Sequence, residues 1–432
     1  MTSVRRLKQS RRRASKPVTA RCGPVAPWYL AYLILGLLTS GMLPFLLPLV
    51  VAGGSQSLGT VAYVTGAYNL GLLPAPLFGM LAERQRLYRP LFFGGFVVLA
   101  LALAAFPLVR SLMPWFLLAL TIGVAAGVAA TIATLFIVDF APRREWESRI
   151  GWLQSFNGTG QLLGLLLAGM FAAGNFDTGF TVAACLALVA VAVGGIGLPL
   201  DGHKQIGGNP LGRMPVQPLL PSAQLDPALG GLLKHSHHLQ KAALQGLRKG
   251  VHGAFCRFLL AWSAYNFGVA GFFAYYPLVM RESYGSPPVI TAIAYAAAAG
   301  VGIFLFVATG RLAIRYGCAS VFQAGLALRL LGFALLGVPF VIAIPGATVL
   351  ALAGFVLAML AWPVLSVSGT SLAARLTPIG EGAAIGLLGA TGALATVAGT
   401  FVSGPLVHAF GYGVVLPLSV IGMAAAELLM LG

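Results

Sequence analysis

Charged residues are scarce in this chain. Only 9% of its 432 residues are charged, and only 10 of them are Asp or Glu, whereas a typical soluble domain carries about 25% charged residues. Apolar residues make up 58% of the sequence, and a water-soluble core cannot absorb that excess. Most side chains must therefore face lipid, which excludes a water-soluble protein.

Cysteines and other metal-ligating residues are equally sparse. The four cysteines, Cys22, Cys185, Cys256 and Cys318, suggest neither a disulfide nor a metal site. The cluster from His235 to His238 has no Cys or carboxylate at ligand spacing, so a solvated basic loop is favoured over a metal site. Without a nucleophile and base pair or a phosphate-binding loop, the sequence predicts no enzyme, no cofactor and no bound metal.

What the sequence does contain is a series of apolar runs, each about twenty residues long, which is the length that a helix needs to cross a bilayer. The runs are continuous rather than alternating, so they predict helices instead of strands. We expect an all-α membrane protein with twelve transmembrane helices in two six-helix bundles. The predicted spans are 27–51, 58–82, 90–108, 113–138, 149–173, 178–199, 257–280, 287–309, 318–343, 346–373, 382–407 and 412–431.

Basic residues are sorted to one side of these spans. Of the 27 Lys and Arg, 24 fall in the N-terminal tail and in alternate loops; Arg110 and Arg281 fall on the other side, and Arg329 lies within a span. Cytoplasmic loops carry such an excess of positive charge, so we expect both termini in the cytoplasm of a multi-pass protein, in a bacterial inner membrane. The net charge of +17 then needs no nucleic acid partner.

One long polar interruption divides the chain. Residues 200–256 form a cytoplasmic linker between an N-terminal bundle, 27–199, and a C-terminal bundle, 257–432, and residues 1–26 form a basic cytoplasmic tail. Leucines at near-helical spacing after residue 227 predict a helix that lies on the membrane surface.

The two halves repeat one another. At an offset of 231 residues Gly71 aligns with Gly302 and Gly79 with Gly310, and at an offset of 235 Gly164 aligns with Gly399 and Gly169 with Gly404. Chance explains a few glycine matches, but it explains less easily matches at corresponding helix ends.

The segments 79–86 and 310–317 follow the second and eighth spans, and each combines glycine with arginines; the first also holds an acidic residue. With twelve spans and a basic central loop, they make the chain resemble the major facilitator superfamily. It departs from that pattern by having Glu83 for the usual aspartate and Arg86 for a usual glycine. The resemblance implies a latch between the bundles, whereas the alternative is that the arginines serve only topology. The implied gating residues are Gly79, Glu83, Arg84, Asp139, Arg149, Gly310, Arg311 and Arg315.

Polar side chains that share one face of a membrane helix usually point to a cavity or to a partner helix. Several such stripes occur on the helices that the resemblance places around a central path. The candidate substrate-binding residues are Tyr68, Asn69, Gln154, Asn157, Gln161, Trp262, Tyr265, Asn266, Trp362, Ser366, Thr396 and Thr400. The alternative for each is that it only holds helices together.

Arg329 is the one cation clearly inside a span, and Glu427 is the expected partner of a buried structural ion pair. The ninth and twelfth helices are peripheral in the superfamily, so a structural role is favoured over a coupling site. If transport is coupled to protons, Asp139 with Arg149 is the candidate.

The sequence therefore predicts a secondary transporter that moves a small neutral or amphipathic organic solute by alternating access. Its partners would be that solute, membrane lipids and, as a candidate coupling ion, the proton; we expect a monomer. Resemblance to the drug and metabolite efflux branch favours export, although the fourth helix lacks that branch's arginine and the fifth its proline. An uptake permease or uniporter is the alternative, followed by a transport-inactive receptor.

Overall fold

The computed structural model describes residues 27–54, 57–140, 146–172, 174–196, 198, 253–342, 345–376 and 381–431. The basic tail, the predicted surface helix and the histidine cluster lie outside these ranges. The described residues form helices joined by short connections, which confirms the all-α fold.

Twelve helical segments follow one another along the described ranges. They are α1 (Tyr29–Gly54), α2 (Thr60–Leu72, continued by Ala75–Gln85), α3 (Tyr88–Leu108), α4 (Leu112–Phe140), α5 (Trp146–Phe171), α6 (Phe176–Gly194), α7 (Ala254–Ser283), α8 (Pro288–Tyr316), α9 (Cys318–Val341), α10 (Ala347–Leu376), α11 (Glu381–Phe410) and α12 (Val415–Leu431). Ten of these segments are long and apolar enough to cross a membrane by length and composition. The other two are α2, which is interrupted before Ala75, and α5, which carries the polar stripe.

Glycines bring helix backbones into direct contact inside each bundle. A Cβ atom on Gly160 of α5 would lie 2.0 Å from the carbonyl oxygen of Leu33 in α1, and one on Gly123 of α4 would lie 2.1 Å from the carbonyl oxygen of Tyr68 in α2. Only glycine permits such crossings, which are typical of membrane helix packing. Helices α1 to α6 pack together as one bundle, and helices α7 to α12 pack together as the other.

The predicted repeat reappears in these crossings. A Cβ atom on Gly164 would lie 2.1 Å from a carbonyl oxygen of α1, and one on its counterpart Gly399 would lie 2.2 Å from a carbonyl oxygen of α7. Gly169 faces Ala292 of α8, and its counterpart Gly404 faces Ala62 of α2. Gly164 and Gly399 thus make equivalent contacts within the bundles, and Gly169 and Gly404 make equivalent contacts between them. Gly79 and Gly310 do not, because Gly79 packs against Thr131 and Gly310 has open space where a Cβ atom would be.

The bundles meet at the end of the molecule where α1 leads into α2, here called the closed end. The Tyr275 hydroxyl of α7 donates a hydrogen bond to the Leu58 carbonyl oxygen, 2.9 Å away. The rings of Tyr63 and Phe401 lie 6.2 Å apart, centroid to centroid, and so join α2 to α11. At the opposite end the second part of α2 packs on α3 and α4 of its own bundle. That opposite end carries Arg86, and we call it the arginine end.

Two ion pairs lie at the closed end. At the closed end Arg110 pairs with Asp177 at 3.2 Å, and Arg281 pairs with Glu282 at 3.2 Å. Arg110 and Arg281 are the two arginines that the sequence places on the side opposite to most basic residues. Each of them is paired with a carboxylate.

Arg86 ends α2 in a left-handed backbone conformation, with φ at 57°. Among the described residues it is the one non-glycine residue with positive φ, a conformation that costs an L-residue about 1–2 kcal/mol. This is the position where the superfamily pattern has glycine. The chain therefore makes the turn for which glycine is suited, with an arginine in its place.

Candidate functional site

A cavity of about 150 Å³ lies between the two bundles. Residues of α1, α2 and α7 to α11 line it, so both bundles contribute to its wall. Eight of the twelve candidate substrate-binding residues are among them: Tyr68, Asn69, Trp262, Tyr265, Asn266, Trp362, Ser366 and Thr396. A cleft of this kind, mostly apolar with a few polar groups, is typical of a small-molecule site.

Aromatic rings form much of the cavity wall. The rings of Trp262 and Trp362 lie 6.5 Å apart, and those of Trp262 and Tyr265 lie 5.7 Å apart. The indole N–H groups of both tryptophans are buried without a hydrogen-bond partner. By contrast, Thr396 donates its hydroxyl hydrogen bond to the Gly392 carbonyl oxygen of its own helix at 2.9 Å. The threonine is thus satisfied within α11, whereas the indoles are not.

The polar stripe of α5 does not reach this cavity. Asn157 is 0% exposed and packs against Gly36 of α1, and neither of its amide atoms has a hydrogen-bond partner. Gln154 lies beside Tyr32 of α1, and Gln161 lies beside Tyr295 of α8. The stripe therefore occupies the interfaces of α5 with its neighbours.

Thr400 of α11 also does not line the cavity. It is fully buried and donates its hydroxyl hydrogen bond to the Thr396 carbonyl oxygen at 2.8 Å.

Arg329 and Glu427 do not form the expected ion pair. The Arg329 guanidinium instead donates a hydrogen bond to the Tyr265 hydroxyl, and it lies over the rings of Tyr265, Phe273 and Trp362. The Oε2 atom of Glu427 is buried without a hydrogen-bond partner. Arg329 leaves the outer helix α9 toward the molecular centre and lines the cavity, because the aromatic residues of α7 and α10 receive its guanidinium there.

Sequence reasoning missed several cavity residues. They include Ser40 in a π turn of α1 (Leu37–Met42), Phe273, Tyr276, Tyr295 and Thr370. A signal for part of this set was present in α7, where Trp262, Tyr265, Val269, Phe273 and Tyr276 recur every three or four residues. That spacing places them on one helical face.

The family model of the Major Facilitator Superfamily matches residues 28–380. This chain belongs to the major facilitator superfamily. Among solved structures, it is similar to the nucleoside transporter NupG, with 14% identity, a TM-score of 0.71, and coverage of 94% of this chain and 98% of that one. No curated protein matches the chain.

Two other solved structures are similar over most of this chain. A D-xylose-proton symporter is 15% identical, with a TM-score of 0.64 over 93% of this chain and 95% of that one. A bacterial homologue of the human lysosomal transporter Spinster, in an inward-facing and unoccupied conformation, is 13% identical, with a TM-score of 0.55 over 93% of this chain and 97% of that one. At these identities the likeness shows the fold alone.

The gating residues implied by the superfamily resemblance are only partly described. Gly79 packs against Thr131 of α4, whereas Gly310 has open space where a Cβ atom would be. Arg311 and Arg315 are exposed, and Arg149 lies beside the Tyr29 hydroxyl. The side chains of Glu83, Arg84 and Asp139 lie outside the described part, so the latch stays a prediction.

Within the described ranges, no three His, Cys, Asp or Glu side chains come together in a group that could hold a metal ion. The chemistry available to this superfamily member in its cavity is therefore hydrogen bonding, ring stacking and the charge of Arg329.

We expect Asn266→Leu and Asn157→Leu to behave differently in this superfamily member. Asn266 faces the cavity, so its loss should raise the apparent KM for a transported solute by about tenfold, the value of one good hydrogen bond. Asn157 lies between helices without partners, so replacement by an apolar residue of similar volume should change KM by less than about twofold. Initial rates in proteoliposomes, at matched amounts of protein, measure both; equal effects would contradict the assignment.

Proposed function

We propose that the protein is a secondary transporter that moves a small organic solute across the membrane by alternating access. The observation that carries this proposal is a central cavity built from both repeated bundles and sealed at one end by contacts between them. Rocking of one bundle against the other would break the contacts at the closed end and open the cavity to that side. The eight lining residues named above then bind the solute, whereas the stripe of α5 packs against neighbouring helices and Thr400 is buried.

The closed end is the extracellular end in this proposal. The arginine end belongs to the side that carries 24 of the 27 basic residues of the chain, and positive charge accumulates in the cytoplasm. Both termini are then cytoplasmic, and the structure is inward-facing, as is the similar Spinster homologue. A bacterial inner membrane and a monomeric state complete the proposal.

A latch between the bundles is proposed for the arginine end. Glu83 and Arg84, with Gly79, would hold the bundles together when the cavity faces outward, and Gly310, Arg311 and Arg315 would do so in the second half. Asp139 and Arg149 are the proposed proton site if transport is coupled. A carboxylate at a helix N-terminus makes contacts that break and reform with conformation.

Two directions of transport are proposed for test. The sequence favoured export through its resemblance to the efflux branch, and the similar solved structures give that detail no support. One of them is a proton symporter for D-xylose, which favours import coupled to protons as the second candidate.

Solute flux in proteoliposomes tests the proposal. Purified protein should give saturable movement of at least one member of a panel of labelled nucleosides, sugars, monocarboxylates and hydrophobic cations. Accumulation only under an imposed proton gradient would indicate coupling, and its direction would separate import from export. Tight binding without saturable flux for any member would instead favour a receptor.

A further inference from the structure

One cation, Arg329, stands in the wall of the cavity without a described anion beside it. It is 1% exposed, and it is the only charged residue among those that line the cavity in the described ranges. Its Nε atom has no hydrogen-bond partner. An arginine stays protonated in proteins, so the cavity carries one positive charge.

The surroundings of Arg329 stabilise that charge only in part. The centre of its guanidinium lies 5.0 Å from the ring centroid of Phe273, 5.3 Å from that of Tyr265 and 6.0 Å from that of Trp362. Such ring contacts stabilise a desolvated cation, but by less than the free energy that burying an unpaired ion costs. The expected partner Glu427 does not offset this cost, because it makes no ion pair with Arg329.

The same wall has further unused hydrogen-bond donors. The Nε1 atoms of Trp262 and Trp362 lack partners, and an indole N–H can donate but not accept. Trp362 touches the Arg329 charge through its ring, so donors and positive charge meet on one side of the cavity. A ligand that supplies negative charge would offset the Arg329 charge, and acceptor oxygens on that ligand suit the donor character of this wall.

We infer that the transported solute is a small organic acid with one carboxylate, and that Arg329 holds this carboxylate. The inference rests on the proposed function of the cavity as the solute site. A single cation matches a single negative charge, and a guanidinium fork matches the two oxygens of a carboxylate. The rings of Tyr68, Phe273, Tyr276 and Tyr295 line the rest of the cavity and fit an apolar or aromatic body.

Carboxylate and amide pairs of equal shape test this inference. The full chain, purified in a non-ionic detergent at neutral pH, is titrated with benzoate against benzamide and with hexanoate against hexanamide, and binding is read from thermal stabilisation. At least one carboxylate should bind at least about tenfold more tightly than its amide, the expected gain from a charge-assisted hydrogen bond. Equal binding within both pairs would overturn the inference, as would stabilisation by inorganic phosphate alone.

Variants test whether Arg329 causes the preference for a carboxylate over its amide. Arg329→Gln should reduce the preference for the carboxylate to less than about twofold, and Arg329→Lys should keep part of it. Arg281→Gln, at an exposed pair of the closed end, is the matched control and should leave it unchanged. If Arg329→Gln does not fold, Trp362→Phe serves as the second variant: it keeps a ring and removes the N–H, and it should weaken benzoate more than benzamide. A full preference in folded Arg329→Gln, or in Trp362→Phe when that second variant is used, would overturn the inference.

The experiments distinguish failure of the transport proposal from failure of the organic-acid inference. A carboxylate preference that depends on Arg329, without saturable flux of any solute, would leave the anion site standing and remove the transport proposal. Saturable flux of a neutral solute that Arg329→Gln does not slow would support transport and overturn the organic acid.

Discussion

Oxidation of a cysteine pair at Ala62 and Gly404 is expected to reduce transport to background, and reduction is expected to restore it. A Cβ atom on Gly404 would lie 3.2 Å from the Cβ atom of Ala62, close to the separation of about 3.5–4.5 Å found in disulfides. The bond would tie α2 to α11 at the closed end. A transporter that must separate these helices in every cycle then stops.

Controls separate a locked conformation from a damaged protein. The pair Ala62→Cys and Gly404→Cys is placed in a background without the four native cysteines, and flux of a solute found in the panel is measured in proteoliposomes with oxidant and with reductant. Each single variant should transport equally in both conditions. Full flux through the oxidised pair, with the cross-link verified by mass spectrometry, would contradict alternating access at this end.

Replacing Gly160 by alanine is expected to destabilise the protein by about 1–3 kcal/mol, as overpacking of a tight contact does. The added Cβ atom would lie 2.0 Å from the Leu33 carbonyl oxygen, and a backbone oxygen cannot move without moving its helix. The loss should appear as a lower thermal unfolding temperature in detergent and as reduced monodisperse protein after size exclusion.

Gly94→Ala provides the matched control. Gly94 also lies inside a helix, but nothing is within 4 Å of the Cβ atom that alanine would add. Alanine is favoured over glycine in helices by about 1 kcal/mol, so this variant should be as stable as the parent or more so. If both variants lost equal stability, the close crossing of α1 and α5 would not be what Gly160 provides.

Much of the architecture could be predicted from the sequence, because a helix that crosses lipid needs a continuous run of apolar residues. Runs of apolar residues mark helices, and the twelve helical segments in the described ranges follow the predicted spans. The repeated glycines were also informative, since Gly164 and Gly399 make the same contact in the two bundles. The left-handed turn at Arg86 was not predicted, because an arginine does not favour that backbone conformation as a glycine would.

Only part of the site could be predicted from the sequence. A polar stripe shows which face of a helix avoids lipid, but it does not show whether that face lines a cavity or contacts another helix. The stripe of α7 faces the cavity, whereas the similar stripe of α5 faces α1 and α8. Arg329 shows the same limit. Its long side chain reaches from an outer helix into the centre, so the position of its Cα atom misleads about where its charge acts.

The backbone crossings at Gly160 in α5 and Gly399 in α11 have an evolutionary consequence. Because α1 and α7 are held there by direct contact of main chains, the spacing of the helices around the cavity does not depend on the side chains that face it. Exchanges at positions such as Tyr68 or Ser366 can therefore alter which compound is accepted while the scaffold persists. A few substitutions in the cavity could therefore change the transported solute during evolution without loss of the fold.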